Sequence, residues 1–162
     1  MRRLSDVTAQ RLAFAESVLA RPPRESWVKR PVLRGDRVAV FHLPLDLCPT
    51  RNAGRREHWS ARKRLRDRVL AHLRMQWAHC QPEFAGAASR PLPGRPQLVA
   101  IRFSSVPVDA DAGFAKTAID CLTPNAGGIG LIEDDSPRHV ERCEWWEYAP
   151  RGKGFVLLEV RT

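Results

Sequence analysis

Cysteine is scarce in this chain and what there is lies scattered: Cys48, Cys80, Cys121 and Cys143, with no C-x-x-C pair. Zinc sites want closely spaced ligand pairs, so a structural zinc module is excluded. His139 and Cys143 sit four apart, but in a segment that reads as a strand, where they cannot converge as they would on a helix. Free, partly buried thiols in a reducing compartment are expected. No apolar run approaches the length of a membrane span, and the arginines at the start have no apolar stretch behind them. A soluble protein of the cytoplasm, associated with the nucleoid and with no membrane partner, is the expectation. Internal repeats are absent too. Lysine is the other shortage: 4 of the 27 basic residues are Lys and 23 are Arg. A genome rich in G and C would raise arginine by itself. Arginine also grips phosphate through a planar fork, and the formal charge of +9 suits a polyanionic partner.

Length and composition fit one domain, with 162 residues and 43% hydrophobic content. Residues 5–20 read as a short helix, ended by Arg21-Pro22-Pro23-Arg24 and followed by a basic connector to residue 35. Residues 1–35 are therefore expected to be a helical, basic extension appended to a domain at 36–162. In that domain, 36–43 and 97–105 read as strands, and so do 138–148 and 153–160, with Arg151-Gly152 as a hairpin turn between the last two. Residues 81–97 are rich in Pro, Gly and Ala and suggest a mobile loop. A helix runs from Arg55 to His79 and another covers about 113–123. The order β-α-β-α-β-β implies a small α/β (α+β) fold with a mixed sheet.

The long helix changes character along its length. Leu65, Val69, Leu73 and Trp77 form an apolar stripe, whereas Arg62 and Arg66 fall on the azimuth of Val69 and Leu73. Arg55, Arg56, Lys63, Arg64 and Arg68 surround them. This end of the helix is either solvated or laid against DNA phosphates; the second reading makes Arg55, Arg56, Arg62, Lys63 and Arg66 the candidate DNA-binding residues, and a helix N-terminus adds free N–H groups for an anion. His58 could also reach a phosphate.

Carboxylates gather in a chain that is otherwise basic. Asp109-Ala110-Asp111 follows a strand, Lys116 lies about a turn into the next helix, Asp120 is four residues beyond it, and Glu133-Asp134-Asp135-Ser136 comes later. On a turn leading into a helix, two aspartates spaced D-x-D can converge on Mg²⁺, which takes carboxylate oxygens and keeps waters that phosphate oxygens can replace. Such ions activate water and stabilise the leaving oxygen of a phosphodiester. Two plainer roles compete: Asp109 or Asp111 as a helix N-cap, and Lys116–Asp120 as a surface ion pair.

Asp109-Ala110-Asp111, Lys116, Asp120-Cys121-Leu122 and Gly130-Leu131-Ile132-Glu133-Asp134-Asp135-Ser136 resemble the RusA-like crossover-junction endodeoxyribonucleases, especially those of phages and prophages. Upstream, Leu43-Pro44, Pro49-Thr50-Arg51-Asn52 and Glu57-His58-Trp59 resemble that family's proline-and-asparagine loop and the basic helix behind it. The resemblance spans about 36–160. It implies a homodimer that nicks four-way (Holliday) junctions in pairs, with Mg²⁺ as cofactor and Mn²⁺ able to substitute. It also implies metal ligation by Asp109, Asp111 and Asp135, assisted by Asp134, with Lys116 as the catalytic lysine. Two departures stand out: Ala112 replaces the family's asparagine, and Lys116 is one residue further from Asp111 than in the commonest pattern. A catalytically inert, junction-binding relative is the alternative that these departures suggest.

Overall fold

The strand formed last along the chain lies inside the sheet, not at its edge. The computed structural model describes residues 4–26, 28–50, 58–80, 91–109 and 112–162. It contains α1 (Leu4–Leu19), β1 (Arg37–Leu43), α2 (Trp59–Cys80), β2 (Gln97–Ser104), α3 (Lys116–Leu122), β3 (Glu141–Tyr148) and β4 (Phe155–Arg161). The sheet order is β1-β4-β2-β3, with β4 antiparallel to both neighbours and β2–β3 parallel. Residues 155–160 are buried without a break, as a strand covered on both faces requires. The expected mixed sheet and element order are both present.

The expected hairpin between β3 and β4 is not. Both strands pair with β2, one on each side. Pro150–Lys153 does make a tight turn, closed by the Lys153 N–H to Pro150 O bond (3.0 Å), with Gly152 at φ +78°. The turn steps across the end of β2 instead of folding β4 onto β3. At Gly154 a Cβ would lie 2.9 Å from the Phe103 carbonyl oxygen, so the crossing needs a residue without one. A parallel β2–β3 pair made through a crossover helix leaves the other side of β2 for β4.

Three boundaries differ from the expected ones. Helix α2 begins at Trp59, because the His58 carbonyl accepts the N–H groups of Ala61 (2.9 Å) and Arg62 (3.2 Å) while its Nδ1 accepts that of Ser60 (3.3 Å). Residues 51–57, with Arg55 and Arg56, lie outside the described residues, as do 81–90 of the expected loop. Strand β3 begins at Glu141, since Ser136–His139 forms a hydrogen-bonded turn first. Helix α3 begins at Lys116, after Gly113 at φ +60°.

Helices α2 and α3 cover one face of the sheet, with Val69, Leu73, Ile119 and Leu122 buried against Phe41, Leu98, Ala100 and Leu158. The segment expected as an appendage covers the other face. Ala15 and Val28 are buried there with Val99, Ile101, Phe103 and Leu157, and Leu12, Val18 and Leu33 pack around them. Arg30 fastens this layer. Its guanidinium donates to the Leu19 (2.9 Å) and Val18 (3.3 Å) carbonyls at the end of α1 and pairs with the buried Glu147 of β3, whose Oε2 is 3.1 Å from Nη2. A cation on the last carbonyls of a helix meets the negative end of its dipole.

Edge strand β1 is closed by α2. Gln76, fully buried, accepts the His42 N–H (2.9 Å) and donates to the His42 carbonyl (2.7 Å), as a neighbouring strand would. Cys48, Cys121 and Cys143 are buried free thiols, and burial pushes Cys48 up to about 12 and Cys121 up to about 11.

Candidate functional site

The crossover from β2 through α3 to β3 carries the acidic motifs. In parallel α/β units, ligands gather beyond the carboxyl ends of the strands, where such loops emerge. Strand β2 leads into residues 105–109, and the Ala112 N–H returns to the Asp109 carbonyl (3.0 Å). Asp109 itself is exposed. Ala112, standing where the resembled family has asparagine, packs against the helix-side core. Asp111 lies outside the described residues.

Lys116 opens α3 and its ammonium bridges two carboxylates: Asp120 Oδ1 at 2.5 Å, one turn along the helix, and Asp135 Oδ2 at 2.6 Å, from the loop before β3. The expected helix ion pair is therefore present, together with a longer-range one. Asp134 takes another route, accepting the Ser136 N–H (3.0 Å) to brace the turn. Among the described residues no hydrogen bond or ion pair joins Asp109 to this group, and no three His, Cys, Asp or Glu side chains meet as a metal cage. Carboxylate oxygens are nevertheless the donor type that Mg²⁺ takes.

Charge in the bridge is uneven. Burial pulls the Lys116 ammonium down, but hydrogen bonds to both aspartates outweigh it and leave the pKa raised. Asp135 is held below its ordinary value, first by the hydrogen bond from Lys116. Asp120 is raised by burial, reinforced by the nearby Asp135. Two carboxylates share one ammonium, and their proton affinities move apart, Asp120 upward and Asp135 downward.

The loop bearing Asp134 and Asp135 is fixed from α2 and α3. Ile129 N–H bonds to the Cys121 carbonyl (2.9 Å) and Leu131 N–H to that of Leu122 (2.8 Å). Gly128 allows this approach, because a Cβ there would collide with the Thr123 carbonyl. Arg66, expected against phosphate, donates to the Asn125 (2.9 Å) and Ala126 (3.1 Å) carbonyls, and Arg74 donates to that of Gly127. Lys63 pairs with Asp67 (3.0 Å) and Arg68 with Asp46 (2.7 Å). Among the described residues Arg62 and Arg64 are exposed and meet no carboxylate. The cations on this helix that remain available are thus Arg62 and Arg64, beside an exposed Trp59.

Sequence reading passed over one group. Arg102, within the apolar strand β2, donates to the Cys48 carbonyl (2.8 Å) and lines a cleft shared with Val108. An arginine inside Gln97-Leu98-Val99-Ala100-Ile101-Arg102-Phe103 was the available signal. Among the described residues no helix is long and apolar enough to cross a membrane. Compared with family models, curated proteins and solved structures, the chain matches none.

Proposed function

We propose that this protein is a metal-dependent endodeoxyribonuclease of the RusA-like kind, which resolves four-way DNA junctions by paired nicks. The observation that carries the reading is the Lys116 bridge to Asp120 and Asp135, on the loops beyond the carboxyl end of β2 and following Asp109 in the chain. A nuclease needs its carboxylates and its cation assembled before a phosphate arrives.

Asp109, Asp111 and Asp135 would hold Mg²⁺ or Mn²⁺, with Asp134 keeping the Asp135 loop in shape. A bound ion there supplies an activated water and stabilises the departing oxygen. The chain's own contribution is electrostatic. Lys116, with its pKa raised, stays protonated at neutral pH, so it serves as a fixed positive charge toward the phosphate and not as a base. Asp120 aims it. Arg62 and Arg64 supply salt-sensitive contacts to the duplex arms. A second copy would set an equivalent site against the symmetry-related strand of a junction.

The test is a labelled four-way junction incubated with Mg²⁺ or Mn²⁺, with the products mapped. Paired, symmetric nicks are expected. Junction binding without cleavage under either ion would leave an inert junction-binding relative, as Ala112 and the longer spacing to Lys116 suggest. Equal cutting of linear duplex would remove the preference for branches.

A further inference from the structure

A cleft of about 400 Å³ opens beside the site loops, and Val108, the residue before Asp109, forms part of its wall. Arg102 reaches into it from β2. The guanidinium donates to the Cys48 carbonyl (2.8 Å) and lies 5.9 Å from the centre of the buried Phe114 ring, yet its Nε is buried without a hydrogen-bond partner. No carboxylate pairs with it among the described residues, and burial holds its pKa below the ordinary value. A cation partly shielded from water and given no counter-charge is costly, and an anion entering the cleft relieves that cost. Arg151, at the turn crossing the end of β2, adds a second positive charge at the rim. The remaining wall is largely apolar, formed by Leu45, Val106, Val108 and Pro150.

We propose that this cleft binds one nucleotide of a DNA strand, its phosphate on Arg102 and Arg151 and its sugar and base against the apolar wall. The choice of DNA as the source of that nucleotide rests on the nuclease reading; the anion and the apolar wall do not. A strand held there runs past Asp109, so the cleft sets which phosphate reaches the carboxylates.

The experiment titrates thymidine 5′-monophosphate, thymidine and inorganic phosphate into the protein in EDTA, following the backbone amide resonances of Ser105 and Gly152. Saturable shifts with the monophosphate are expected, with at least tenfold weaker binding of thymidine and of inorganic phosphate. Arg102→Gln should weaken the monophosphate at least tenfold. If that variant does not fold, Ser105→Glu carries the test: Ser105 is exposed at the cleft, and a carboxylate there should repel the phosphate by a similar factor. Monophosphate binding that neither variant changes, or thymidine binding equally well, overturns the proposal. Inorganic phosphate binding as tightly as the monophosphate overturns the nucleotide assignment. Because no metal is present, the outcome separates from the nuclease test. Junction cutting without a responsive cleft sinks this proposal alone, and a responsive cleft in a protein that cuts nothing sinks the nuclease reading and with it the choice of DNA, while the nucleotide site stands.

Discussion

The face under α1 and the end that carries the crossover loops treat charge in opposite ways. Under α1 three cations meet carboxylates, Arg30 with Glu147, Arg37 between Glu16 (3.2 Å) and Glu159 (3.0 Å), and Arg161 with Glu159 (2.8 Å), while Arg11 lies over the Phe155 ring. At the other end Arg62, Arg64, Arg102 and Arg151 meet no carboxylate among the described residues, while Asp120 and Asp135 crowd onto one lysine. A net charge of +9 is therefore not an even coat. Ion pairs fasten the α1 layer, and among the described residues the crossover end leaves four arginines without one.

The matched side should break hardest. Arg30→Ala leaves Glu147, 2% exposed, as a buried charge without its partner, and uncovers the carbonyls ending α1. A loss of about 3–5 kcal/mol in urea unfolding is expected. A loss near zero would mean that α1 is only loosely attached. On the unmatched side, Asp135→Asn should slow junction cleavage on the order of a hundredfold, which corresponds to about 2.7 kcal/mol, while binding without metal stays equal or tightens. A mutant that cuts at the parent rate removes Asp135 from the site.

A pH experiment sharpens the contrast from within the matched side. The His42 ring accepts or donates to Thr8 Oγ1 of α1 (3.0 Å) and stands 5.8 Å from the His72 ring; burial, then the charges of Arg11 and His72, lower its pKa from 6.5 to about 4. Its native form is neutral. Between pH 6.5 and about 4 the unfolded chain takes a proton that the native state refuses, so stability must fall as pH falls through that window. The slope is up to about 1.4 kcal/mol per pH unit for one proton, and His72, also lowered mainly by burial, steepens it. Unfolding measured at stepped pH should show this slope reduced in His42→Asn. The smallest effect belongs to the helix cations. Arg62→Ala and Arg64→Ala should each flatten the log–log salt dependence of junction binding by about 0.9, whereas Lys63→Ala, already matched by Asp67, should leave it nearly unchanged.

Strand and helix order were legible because burial imposes periodicity on the sequence. The apolar run Phe155-Val156-Leu157-Leu158, resumed at Val160 after Glu159, and the stripe of Leu65, Val69, Leu73 and Trp77 are its direct imprint. Pairing was not legible: a tight turn at Arg151-Gly152 looks the same whether the following strand folds back or passes over a neighbour. The joining of Lys116 to Asp120 could be read from helical spacing, and its reach to Asp135 could not, since that contact spans a loop. Arg66 illustrates the limit from the other direction. Its azimuth was right, but the carbonyls it meets belong to a turn some 60 residues away, which no local pattern announces.

The position of β4 bears on how the chain is born. Strands β1 and β2 do not touch; each pairs with β4, which joins them. As the polypeptide emerges in order from the ribosome, β1, α2 and β2 can gather locally, and β3 can dock on β2. The sheet still lacks its middle until residues 155–161 are free. Until then the apolar faces waiting for β4 stand open, and a chain truncated before residue 155 should leave β1 attached to the β2–β3 pair only through α2.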